Sequence, residues 1–327
     1  MIMFQTNEAK NIPSTHSRAA FTLVELLVTI SIIAILASLL LAGVSSARNA
    51  AINASVKSEL SAIESALESF RAEFGTYPPS KITLYEQAAD WDPRSKSLIR
   101  SMWPKYDFSD RPAGKSIFDD NGNGDLTDDP VDDSYVLSPA ECLVFFLAGP
   151  IKNVGTVSAP IYQPLGFSAN PADPFDRSSQ NRKKNFFEFD TARFIEGEAT
   201  PDGFPAYLDK YPGQSKPIAY FSSYEGAGYE PSEAVEAGMK DVYRQAWSFD
   251  ASLAFSPSRY PNTPWKEKTF QLISPGRDGE YGQGGYYREG FAKPTIDPAI
   301  GTEWDTFING RTNDVDNLTN FVSGQLK

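Results

Sequence analysis

The chain has 327 residues, 41% of them apolar and 22% charged, which is the balance of an ordinary globular protein and not of a disordered one. Its 30 Lys and Arg face 42 Asp and Glu, a formal net charge of -12, which argues against a nucleic-acid partner because backbone binding needs clustered cations. The single cysteine, Cys142, excludes an intramolecular disulfide, and the single histidine, His16, precedes the first apolar segment, so His-based zinc sites and Ser-His-Asp triads are excluded from everything after it.

Residues 1–20 carry Lys10 and Arg18 against Glu8 alone, a net positive segment. From Phe21 to Val44 runs an apolar stretch of 24 residues broken only by Thr22, Glu25, Thr29, Ser31 and Ser38. As a helix it reaches about 36 Å, enough to cross a bilayer core with some tilt. A secretory signal has a shorter apolar stretch of about 7–15 residues with its cleavage site after it. The cations ahead of the span place the N-terminus on the cytoplasmic side and the rest of the chain across the membrane. Glu25 is the anomaly, since a carboxylate in lipid costs about 2.5–3.5 kcal/mol. Either it snorkels to the interface, or it meets a cation, which a new amine at Phe21 would supply.

The run Ala20-Phe21-Thr22-Leu23-Val24-Glu25-Leu26-Leu27 resembles the prepilin peptidase site of type IV pilins and type II secretion pseudopilins. The resemblance implies a cut between Ala20 and Phe21, methylation of the new N-terminus, and pairing of Glu25 with the terminal amine of a neighbouring subunit. It also implies identical and related pilin subunits, a prepilin peptidase and an inner-membrane assembly platform as partners. The expected location is the inner membrane, single-pass, with the C-terminal part in the periplasm or outside. The family usually has Gly where this chain has Ala20, and often a kinking Pro where it has Ala42.

Beyond the span, Ile52, Val56, Leu60, Ile63, Leu67, Phe70 and Phe74 recur every three or four residues, one stripe of a continuing amphipathic helix. Gly75 and Pro78-Pro79 end it. The segment Phe70-Arg71-Ala72-Glu73-Phe74-Gly75-Thr76-Tyr77-Pro78 resembles the helix exit of major type II pseudopilins.

Asp119, Asn121 and Asn123, with Gly124 at the turn and Asp125 after it, have the oxygen spacing of a calcium loop, or of a solvated Asp/Asn/Gly turn. Its twelfth position is Pro130, so a closing carboxylate must come from elsewhere, and no paired EF-hand is expected. Ser138-Pro139-Ala140-Glu141 has the form of a capping box opening a short buried helix that holds Cys142 as a core thiol. Strand-like runs follow at Phe186–Phe189, Ile218–Ser222 and Phe270–Ile273, and aromatic pairs such as Phe186-Phe187 and Tyr286-Tyr287 read as core packing. Ser274 to Gly282 and Asp314 to Phe321 resemble two halves of the calcium-binding region of major pseudopilins, which makes Asp278, Asp314 and Asp316 implied ligands; the same residues also read as a tight Asp-Gly turn beside a polar tail.

The expected architecture is α+β: a long N-terminal spine helix, membrane-spanning in its first half, packed on a C-terminal globular domain with a small antiparallel sheet and long loops. The expected division is a cleaved leader at 1–20, a transmembrane and assembly part at 21–44, the amphipathic part of the helix at 45–77 and an exported domain at 78–327. The function that follows is a structural filament subunit, not an enzyme, with calcium as its ion. The alternatives are a minor or tip pilin that binds a ligand, and a calcium-dependent enzyme on a pilin-type anchor.

Overall fold

A computed structural model describes residues 22–85, 89–109, 134–155, 160–196, 204–245, 263–287 and 316–326. The chain divides into a unit ending at Ala50 and a second from Ala51 to Lys327. The first unit holds the beginning of α1, Leu23–Phe74, a helix of 52 residues. There the large apolar side chains lie open: Leu23 is 79% exposed, Ile33 63% and Leu41 76%. Such a surface is stable only against lipid or other apolar helices. Among the described residues, α1 alone is long and apolar enough to cross a membrane.

In the second unit the stripe read from the sequence is the buried one. Val56, Leu60, Ile63, Leu67 and Phe70 are wholly buried, each contributing about 1.5–3 kcal/mol of transfer free energy. The Phe70 ring meets Phe186 at 5.2 Å and Phe146 at 6.0 Å, edge to face. Polar side chains of the same helix then fix its rotation. Glu59 accepts from Arg193 at 2.8 Å, Glu64 pairs with Lys266 at 2.9 Å, and the Lys57 ammonium donates to the carbonyls of Thr319 and Val322. Gly75 ends α1 in the left-handed region, φ 82°, its N–H returning to Arg71 O.

Short strands and helices make up the rest of the described second unit. β1 (Ile82–Tyr85) pairs antiparallel with β2 (Ser134–Leu137), and α2 (Pro93–Met102) lies between them in sequence. α3 (Pro139–Ala148) opens on the expected capping box of Ser138 and Glu141, and all ten of its residues are buried, Cys142 included. β3 (Ile151–Asn153) pairs with β4 (Tyr162–Pro164), and β5 (Phe194–Glu196) with β6 (Pro205–Tyr207), both antiparallel. β7 (Ala219–Ser222) precedes α4 (Pro231–Glu236) and β8 (Tyr243–Gln245); β9 (Phe270–Ser274), β10 (Gly285–Tyr287) and β11 (Leu318–Thr319) complete the described elements.

The largest sheet has the order β7-β9-β11 and is antiparallel; β8 and β10 form a separate parallel pair. Among the described residues the expected single small sheet is thus several sheets, of which four have two strands. Every residue of β7 and β9 is buried, because apolar clusters lie on both faces. The strand period of two sends Tyr220, Phe270 and Leu272 into the cluster under α1, and Ala219, Phe221 and Ile273 into a second cluster with Val242, Tyr243 and Tyr281. Phe186–Phe189 is not a strand. The N–H groups of Phe186 and Phe187 both reach Leu147 O at the end of α3, and the Phe186 ring turns onto Phe70 and Phe74, so core aromatic contacts replace a sheet partner.

Candidate functional site

Glu25 lies in the first turn of α1, where helix N–H groups have no intrahelical acceptor. Thr22 precedes it by three residues, and the two side chains close on each other. Thr22 N–H and Thr22 Oγ1 both donate to Glu25 Oε2 at 2.9 Å, and Glu25 N–H donates to Thr22 Oγ1 at 3.2 Å. This is a reciprocal capping box. It fixes the carboxylate at the mouth of the helix, where the macrodipole favours negative charge. Both bonds to the carboxylate run to Oε2, and among the described residues none runs to Oε1. Thr-x-x-Glu before an apolar run is a readable cap signal. Ala20 and Phe21 lie outside the described residues.

A second arrangement lies at the C-terminal end. Asp316 Oδ2 accepts from the N–H groups of Arg277 at 2.6 Å and Asp278 at 3.0 Å, so the Ser274–Gly282 and 316–321 segments do meet. Gly276 makes the approach possible: its φ is 71°, and a Cβ there would stand 2.5 Å from Asp316 O. Asp209 supports the turn from beneath. Its carboxylate accepts from Ser274 Oγ at 2.6 Å, Tyr211 N–H at 2.8 Å and Gln214 Nε2, which also donates to Gly276 O. Burial raises the Asp209 carboxyl above its ordinary range despite these donors. Tyr211 and Gln214 lie within five residues of Asp209, but Ser274 comes from β9, 65 positions away, and no sequence spacing marks that contact.

Asp316 Oδ1 is buried and has no hydrogen-bond partner among the described residues. Asp278 lies at the surface, and its carboxyl is raised by partial desolvation first and by the charges of Asp316 and Glu280 next. An orphaned carboxylate oxygen beside a second acid is a donor set suited to a hard cation. Among the described residues, however, no three acidic, His or Cys groups converge. Asp314 and the whole loop of Asp119, Asn121, Asn123 and Asp125 lie outside them.

Comparison with protein families matches residues 15–41 to the prokaryotic N-terminal methylation motif. Comparison with curated proteins finds no match, and neither does comparison with solved structures. The matched residues run from the segment ahead of Ala20 and Phe21, through the Thr22–Glu25 cap, into the exposed apolar part of α1. The methylation motif, the apolar helix it opens and the α+β unit that follows support a type IV pilin-like protein processed by prepilin peptidase.

Proposed function

We propose that the chain is a structural subunit of a type II secretion pseudopilus or a related type IV pilus-like filament. Prepilin peptidase cuts between Ala20 and Phe21, the new amine is methylated, and Glu25 receives the amine of a neighbouring copy. Identical and related subunits join through α1 on an inner-membrane platform, with the second unit on the outer side of that membrane. The observation that carries this reading is the methylation motif set on an exposed apolar helix whose first turn holds a capped carboxylate. Mass spectrometry of membrane-extracted protein is expected to find Phe21 as a methylated N-terminus. The leader carries Lys10, Arg18 and Glu8, so the processed chain has a formal charge of -13. Recovery of an intact Met1 overturns the reading.

We further propose that calcium binds at Asp278 and Asp316, with Asp314 and loop carbonyls, and at the loop of Asp119, Asn121, Asn123 and Asp125. Support comes from the buried Oδ1 of Asp316, without a hydrogen-bond partner among the described residues, and the acids around it. An ion that binds only the folded form stabilises it by about 2.7 kcal/mol at one hundred times its dissociation constant. Chelation should lower the Tm of the detergent-purified protein, Ca²⁺ should restore it, and Mg²⁺, which prefers compact six-coordinate shells, should restore it poorly. Asp316→Asn and Asp119→Ala should each shrink the calcium-dependent shift. A Tm indifferent to chelator and to added calcium returns both segments to hydrogen-bonded turns.

A further inference from the structure

Ser80 follows the prolines at the exit of α1 and is wholly buried. Its Oγ donates to Glu233 Oε2 at 2.5 Å and accepts from Ser222 N–H at 2.8 Å. Glu233, on α4, is 1% exposed, and its other oxygen accepts from Tyr224 OH at 2.5 Å. One carboxyl therefore joins three separate segments: the helix exit, the end of β7 and α4.

The turn that carries Tyr224 is strained. Tyr224 and Glu225 both lie in the left-handed region, with φ 48° and 58°, which side chains with a Cβ resist. Each is held there by what its side chain grips. Tyr224 reaches Glu233, while Glu225 accepts from Tyr77 N–H at 3.1 Å and pairs with Arg71 at 3.0 Å, in the last turn of α1. The strained pair thus clasps the helix end from one side and the buried carboxyl from the other.

The charge around Glu233 is poorly balanced. Arg94 of α2 stands 4.0 Å away, is half exposed, and is shared with Glu230 at 3.8 Å. Lys81 is committed to Glu236. Among the described residues the further titratable neighbours are Tyr224 and the Cys142 thiol of α3, both raised by burial. We propose that Ser80, Tyr224 and Glu233 form a proton-sensitive latch between the exit of α1 and residues 222–233, closing more firmly when the Glu233 carboxyl is protonated. Protonation removes the buried charge and keeps both contacts, since the acid O–H donates to one hydroxyl oxygen while the carbonyl accepts from the other. Burial raises Glu233 above its ordinary 4.5, against the pull of Ser80, Tyr224 and Arg94. A folded state that holds the proton more tightly than the open one has its full stability below pH 4.5 and loses it as pH rises through the folded pKa.

Hydrogen exchange on the full chain in detergent, corrected for intrinsic rates, tests this between about pH 5 and 7.5. Opening of peptides covering 76–80 and 222–226 is expected to rise with pH in the natural protein, by up to about tenfold per pH unit until the Glu233 midpoint is passed. Glu233→Gln, uncharged throughout, should flatten that rise. Asp209 and Asp278 titrate in both proteins, so their contribution cancels in the comparison. Tyr224→Phe removes a donor to the ionised form and should move the midpoint to higher pH. The latch is overturned if Glu233→Gln keeps the pH dependence of the natural protein, or, should that variant fail to fold, if Tyr224→Phe leaves the midpoint unmoved.

Discussion

Glu25→Ala is expected to cut filament assembly by at least about tenfold while the protein stays inserted and its second unit stays folded. A carboxylate and an amine at about 4 Å attract by about 4 kcal/mol at an effective dielectric near 20, and tenfold in an equilibrium needs only about 1.4 kcal/mol. Removing the acid also removes an insertion cost of about 2.5–3.5 kcal/mol, so membrane insertion should not suffer. Thr22→Ala separates the two roles of the first turn. It breaks the cap, at a cost of about 0.5–2 kcal/mol, but leaves the carboxylate, so assembly should fall much less. The measurement is the sheared-filament fraction against total membrane-bound protein. Equal filament yield from Glu25→Ala and the natural chain excludes an assembly role for the carboxylate.

Phe70→Ala should do the reverse, destabilising the second unit by about 3–5 kcal/mol and lowering its Tm by on the order of 10 °C. The ring is wholly buried where α1, α3 and the 186–187 segment meet, touching Phe74, Phe146 and Phe186. These neighbours come from separate segments and cannot all collapse into the cavity, so the lost contacts are not regained. Processing at Phe21 and insertion of the apolar part of α1 should be unchanged. Thermal unfolding in detergent checks this, and a shift below about 2 °C would mean that α1 does not contribute to the core.

Much of the architecture was readable from short-range pattern. The stripe from Val56 to Phe70, the stop at Gly75, the Ser138–Glu141 cap and the runs that became β7 and β9 all appear where residue spacing put them. Each is dictated within a few residues, by side chains three or four apart on a helix or by hydrogen bonds across one turn. The Thr22–Glu25 cap belongs with them, since its signal was present and local.

Other features depended on which distant segments come together. Phe186–Phe189 has strand composition, yet Leu147 O takes two of its N–H groups and Phe70 takes its first ring. Apolar spacing alone does not tell a buried strand from an irregular core segment. The meeting of Asp316 with the Arg277 and Asp278 amides rests on β11 lying beside β9 and on a Cβ-free Gly276, and the burial of Glu233 rests on α4 packing over the exit of α1. Glu233 is 153 positions from Ser80, and no pattern in either neighbourhood encodes the other. Local chemistry sets the elements and their ends; the partners of buried polar groups follow from chain topology, which brings together residues that no spacing rule relates.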